Sequence, residues 1–197
     1  MGIFKKTYHN KSDEALIQLL SNNNEKAFNE LYGRYAEQMF HFFYKMLYQD
    51  EELAEDFCQN LFLKIFEKAN SYDPKYKFST WIYTMATNMC KNEYRRNSRK
   101  KPTIYMDKLT KISEPQAPKE IDNQIFKTEL QKEINKLDDK HKLCFVLRYQ
   151  EHKTIAQISK LLACPQGTVK SRLHTATQKL RKELFQFDPK IIINKYE

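Results

Sequence analysis

From Ser12 to Arg99 the apolar residues recur three and four positions apart, the stepping that gathers them on one side of an α-helix. Ser12 is placed to cap a first helix, with Asp13 and Glu14 favourable in its first turn and Leu16, Leu19 and Leu20 on one face. Ala27, Phe28, Leu31, Tyr32, Tyr35, Met39, Phe42, Phe43, Met46 and Leu47 carry the stripe through a long second helix. Asp50 opens a third, in which Leu53, Phe57, Leu61 and Ile65 repeat every four residues, and Asp73-Pro74 breaks the pattern beyond it. A fourth helix is predicted from Ser79 to Arg99, with Phe78, Trp81, Ile82, Met85 and Met89 inward. Strict alternation never lasts long enough to predict a strand.

The periodicity lapses between 101 and 122, where Pro102, Pro115 and Pro118 fall in a stretch that reads as a linker. It resumes with Ile125, Phe126, Leu130 and Ile134, then Leu143, Phe145, Val146 and Leu147. Thr154-x-x-Gln157 fits a capping box ahead of a short apolar face, Ile155, Ile158, Leu161 and Leu162, which Cys164-Pro165 stops. A further helix has Val169, Leu173, Ala176 and Leu180 inward and Gln166, Lys170, Ser171, Arg172 and His174 outward. Two such helices joined by a tight turn form a helix-turn-helix pattern. The expectation is an all-α chain of two helical domains joined by a flexible linker. The domains are 12–100 and 123–186, with a tail at 187–197.

Composition narrows the chemistry. The 197 residues include three glycines, Gly2, Gly33 and Gly167, where average usage predicts roughly 14. Phosphate loops and dinucleotide fingerprints need glycine at fixed spacing, and no such spacing is present. Cys58, Cys90, Cys144 and Cys164 stand apart among helical apolar positions and read as small buried hydrophobes in a reducing compartment. His141 and Cys144 lack companions to complete a metal site, so neither metal nor cofactor is expected. No apolar run approaches a membrane span, and MGIFKKTYHNKSDE turns polar too soon for a secretory leader, which points to the cytoplasm.

The formal charge of +9 has an address. Lys91 to Lys101 is net +5 and Pro165 to Leu184 net +4, which together account for all of it, whereas Asp50 to Asp56 holds five acids and no base. Neutralisation of phosphates is the simplest reason for two basic helix faces, one of them on a helix-turn-helix.

AEDFCQNLFLKIFEK (54–68), FSTWIYTMATNMCKNEYRR (78–96) and TIAQISKLLACPQGTVKSRLHTATQKLRKEL (154–184), in this order around this linker, resemble the bacterial RNA polymerase sigma factors of the sigma-70 family's extracytoplasmic-function group. The resemblance spans about 12 to 186. It implies a helical domain for promoter −10 recognition and a helix-turn-helix domain for −35. Its partners would be promoter DNA, core polymerase (clamp helices of the largest subunit, flap of the second-largest) and an anti-sigma factor. There is no catalytic constellation of the chain's own and no membrane insertion. The linker would thread near the RNA exit path.

Asp56, Gln59, Leu63 and Phe66 lie on the side of the third helix away from Leu53, Phe57 and Leu61, and apolar groups on a polar face suggest a partner surface. The alternative is a wide core-facing stripe. The resemblance assigns Glu55, Asp56, Gln59, Asn60, Leu63 and Phe66 to core binding. It places Asn88 beside a pocket for a flipped −10 base, with Lys91, Asn92, Tyr94, Arg95 and Arg96 as a backbone track. Trp81 fits either core or stacking. The last helix would read −35 edges in the major groove through Lys170, Ser171, Arg172 and His174, with Gln166 and Thr168 near its start. The chain departs from the family at Thr175 and Thr177, where arginine is frequent. Ala163 fills a turn where glycine is common, which is tolerable if the turn is not left-handed. A stand-alone DNA-binding regulator, a decoy for an anti-sigma protein and a helical enzyme acting on nucleic acid are the alternatives. The first leaves the acidic helix idle, the second leaves both basic faces idle, and the third lacks metal ligands.

Overall fold

The structure, a computed structural model, describes residues 8–99 and 118–185. The chain divides into two compact units, residues 1–101 and 102–197. Among the described residues the regular structure is helical throughout. The end of the basic run at Lys100 and Lys101, most of the linker and the tail lie outside the described residues.

The first unit contains α1 (Asp13–Leu20), α2 (Glu25–Met46), α3 (Glu51–Glu67) and α4 (Phe78–Arg99). Caps set the starts of the first three. Ser12, Asn24 and Asp50 each accept the backbone N–H three residues on, filling donors a helix start leaves open. The Glu14 carboxylate accepts the Phe78 N–H at 3.1 Å, so α1 itself caps α4. Arg34 gathers Asp13, Glu30 and the carbonyls of Tyr8, His9 and Lys11, which ties the start of the chain to α2.

Leu16, Ile17, Leu31, Met39, Phe42, Phe43, Leu61, Phe62, Ile65, Phe78, Ile82 and Tyr83 form the core between these helices. On α3 the deepest stripe is Ala54, Cys58, Leu61, Phe62 and Ile65. The expected Leu53 and Phe57 are only half-buried, because the small residues permit the closest approach to α2: the Cys58 thiol donates to the Ala36 carbonyl at 3.5 Å. On α4, Met85 and Met89 are likewise half-buried, and Ala86, Cys90 and Tyr94 take the interior instead.

The second unit contains α5 (Pro118–Lys136), α6 (Asp139–Phe145), a wide π turn at Val146–Gln150, α7 (Ile155–Leu162) and α8 (Gln166–Glu183). Helix α5 begins inside the stretch expected to be linker. Pro118 stands at its first position, where a missing N–H costs nothing. Ile134, Leu143, Cys144, Val146, Leu147, Ile158, Val169 and Ala176 build the core. Three cysteines are buried as expected, but Cys164 is half-exposed in the turn before α8.

Candidate docking face and nucleic-acid interface

Helix α3 turns Ala54, Cys58, Leu61, Phe62 and Ile65 inward. Stepping by 100° per residue then sends Glu55, Asp56, Gln59, Asn60, Leu63 and Phe66 outward. All six are exposed, Leu63 at 59% and Phe66 at 43%. The core stripe is therefore not wide enough to include the two apolar ones. Phe66 meets Phe28 of α2 edge to face, ring centres 5.9 Å apart.

Helix α4 presents a polar stripe. Asn88, Asn92 and Arg95 are exposed and Lys91 half-exposed, at the spacing that aligns them along one side. Trp81, two turns before Asn88 and half-exposed, stands on that side while its ring packs against Tyr72 in an edge-to-face arrangement, ring centres 5.4 Å apart.

Two of the expected track residues do not join the stripe. Tyr94 is 5% exposed and its hydroxyl donates to the Met46 carbonyl at 2.7 Å, so it is a core residue fastening α4 to the end of α2. Arg96 is exposed, but it leans a quarter-turn away and donates to Glu93, itself 5% exposed, at 2.7 Å.

Tyr76 was legible only as part of a helix break. It is 63% exposed, between exposed Lys75 and Lys77. The turn is held by Lys75 N–H to Asp73 (3.0 Å), Tyr76 N–H to the Asp73 carbonyl (3.1 Å) and the Tyr72 hydroxyl to the Tyr76 carbonyl. An exposed aromatic between two lysines was the available signal.

In the helix-turn-helix the capping box is complete. Gln157 N–H donates to the Thr154 hydroxyl at 3.2 Å and Thr154 N–H to the Gln157 side chain at 2.8 Å. Ala163 then turns the chain with φ 50° and ψ 49°. The turn is left-handed, which corrects the expectation that alanine is accommodated there by an ordinary conformation. Val169, Leu173, Ala176 and Leu180 face inward.

Gln166, Lys170, Ser171 and His174 form an exposed ridge, and Gln178, missed in the sequence, extends it. Thr168 and Arg172 sit on its flank, both half-exposed. Arg172 reaches back across the turn to the Cys164 sulfur at 3.8 Å. Ser171 donates to the Thr168 carbonyl at 3.0 Å. Thr177, one of the two positions where arginine is frequent in the family, returns its hydroxyl to the Leu173 and His174 carbonyls, both at 3.0 Å.

Among the described residues no cluster of three His, Cys, Asp or Glu is placed to hold a metal ion, and no helix is long and apolar enough to cross a membrane.

Comparison with known proteins agrees with this layout. Residues 31–100 match the Sigma-70 region 2 family and residues 134–182 the Sigma-70 region 4 family. The ECF RNA polymerase sigma factor SigW of Bacillus subtilis is 32% identical over 85% of this chain and 94% of its own. The ECF RNA polymerase sigma-E factor of Escherichia coli is 25% identical over 85% and 91%. Two solved structures share the fold. One is CnrH in complex with the cytosolic domain of CnrY (TM-score 0.63, 18% identity, 89% of this chain and 99% of that one). The other is the sigma factor RpoE with the anti-sigma factor NepR from Bartonella quintana (TM-score 0.65, 17%, 81% and 97%). The chain belongs to the sigma-70 family, as an ECF sigma factor that directs RNA polymerase to promoters.

Proposed function

We propose that the two units divide promoter engagement between them. The first, residues 12–100, docks the clamp helices of the polymerase largest subunit on Glu55, Asp56, Gln59, Asn60, Leu63 and Phe66 of α3. It holds the melted −10 strand along Asn88, Lys91, Asn92 and Arg95 of α4. Unstacked bases need a π-surface beside a cationic track; Trp81 supplies an aromatic ring on that side of α4, and exposed Tyr76 in the turn before the helix offers a second. The second unit reads the −35 duplex with the α8 ridge of Gln166, Lys170, Ser171 and His174. Thr168 and Arg172 on its flank face phosphate.

The observation that carries this reading is Leu63 at 59% and Phe66 at 43% exposure on a helix whose other side is closed against α2. Apolar groups left outside a complete core mark a contact surface. The chain adds no catalysis of its own in this scheme: it selects the start site, and the polymerase makes the RNA in the cytoplasm. The second unit would also meet the flap of the second-largest subunit. Solved relatives of the same fold are held by an anti-sigma factor or a cytosolic domain, which supports an anti-sigma partner here.

Replacing Leu63 and Phe66 by serine in the full chain tests the docking assignment. Affinity for core polymerase should fall by tenfold or more, while binding to a −35 duplex stays the same. Undiminished core affinity would overturn it.

A further inference from the structure

Helix α8 runs for 18 residues, Gln166–Glu183, about 27 Å along its axis. The residues assigned to the −35 duplex all fall in its first half, from Gln166 to His174. A recognition helix meets base edges with its N-terminal residues, and the major groove is about 12 Å wide and about 8.5 Å deep. The second half of α8 is therefore carried out of the groove, past the sugar–phosphate backbone at its rim.

That second half is not neutral. Lys170 and Arg181 are eleven residues apart, three turns of helix, which sets them about 16 Å from each other along the axis and about 20° around it. His174 and Gln178 bridge the interval, so Lys170, His174, Gln178 and Arg181 share one exposed side. Thr177, between the last two turns of that side, returns its hydroxyl to the Leu173 and His174 carbonyls and offers the DNA no charge. Glu183, the one acid of α8, lies on the opposite side of the helix. There its charge adds to the bond from Glu133 in raising the pKa of Lys136 on α5.

We propose that Arg181 takes a phosphate of the −35 duplex at the rim of the groove, which extends the DNA face of α8 two turns beyond His174. A guanidinium meets a phosphate through parallel N–H···O bonds. A rim phosphate is the anion this position reaches when Lys170 and His174 are in the groove. The contact fixes how α8 sits in the groove and reads no sequence of its own. The inference rests on α8 being the −35 reading helix.

The experiment measures affinity of the full chain for two duplexes across a salt series. One is a −35 duplex selected by the unaltered chain from a random library, the other a scrambled duplex of equal length. Arg181→Ala should lower affinity about fivefold at physiological salt and reduce the slope of log affinity against log salt by about 1, equally for both duplexes. Arg181→Lys keeps the charge and should keep the slope. Lys140→Ala removes an exposed cation from α6 of the same unit and should change neither quantity. Thermal midpoint and affinity for core polymerase of Arg181→Ala should match those of the unaltered chain.

If Lys170→Ala reduces the slope while Arg181→Ala does not, the extension is wrong and the α8 assignment stands. If neither variant alters the slope, the α8 assignment itself fails. A loss confined to the selected duplex would make Arg181 a base reader, and an equal loss in Lys140→Ala would make the effect one of net charge; either overturns the proposal. A lower thermal midpoint, or weaker core binding at an unchanged slope, would make Arg181 a fold or protein-contact residue and overturn it as well.

Discussion

Ala163 occupies the left-handed region, where a β-carbon crowds the neighbouring carbonyl. His152 (φ 52°), Tyr48 (59°), Gln49 (64°) and Asn23 (60°) sit there too, and of these only asparagine and histidine are favoured there. Gly33 and Gly167 meanwhile lie inside helices, and a β-carbon added to either meets nothing within 4 Å. A chain so short of glycine turns its corners with residues that resist turning. Ala163→Gly should therefore raise stability by about 1 kcal/mol, seen as a higher midpoint of chemical unfolding; an equal or lower midpoint would refute the strain. Asp138 makes a second residue-level prediction. Burial pushes its carboxyl up, but the His141 ring and the backbone N–H groups of His141 (3.3 Å) and Lys140 (3.2 Å) outweigh that and hold its pKa below the usual range. A carboxylate whose pKa falls on folding stabilises above its unfolded pKa, about 4, and loses that as pH drops through the folded value. Asp138→Asn should give a shallower acid-side loss of stability than the unaltered chain, and an identical acid limb would contradict the linkage.

At the scale of the element, the helices were legible because period and caps agree: Ser12, Asp50 and Thr154-x-x-Gln157 all cap as their sequence predicts. What was not legible was which of two adjacent apolar stripes goes deeper. On α3 and α4 small residues (Ala54, Cys58, Ala86, Cys90) set the closest approach and rotate the buried face away from larger Leu53, Phe57, Met85 and Met89. The same rotation takes Tyr94 out of the expected DNA track. Tyr94→Phe should cost about 1 kcal/mol for the lost bond to the Met46 carbonyl and leave DNA affinity as it was; weaker strand binding at equal stability would return Tyr94 to the interface. On α8 the ridge and its flank make a separate forecast. Lys170→Ala should weaken −35 duplex binding and reduce the slope of log affinity against log salt by about 1. An unchanged slope would remove Lys170 from the phosphate contacts.

For the whole molecule, charge placement was readable in the linear sequence because helices keep neighbours in sequence on neighbouring faces. The +9 falls into two stretches of sequence, 91–101 and 165–184, apart from the acidic start of α3. Contacts that cross between helices were not readable: Tyr32 against Phe62, Glu14 capping α4 and Arg172 turned toward Cys164 are fixed by tertiary approach rather than by spacing. The account as a whole claims that these faces make the chain a promoter-specificity subunit. Run-off transcription by core polymerase on a randomised promoter library, with and without the full chain, tests that claim most directly. The account predicts transcripts from a defined subset of templates sharing −35 and −10 sequences only when the chain is added, and their disappearance with Leu63→Ser, Phe66→Ser. Transcription that is no more selective with the chain than without it would contradict the account.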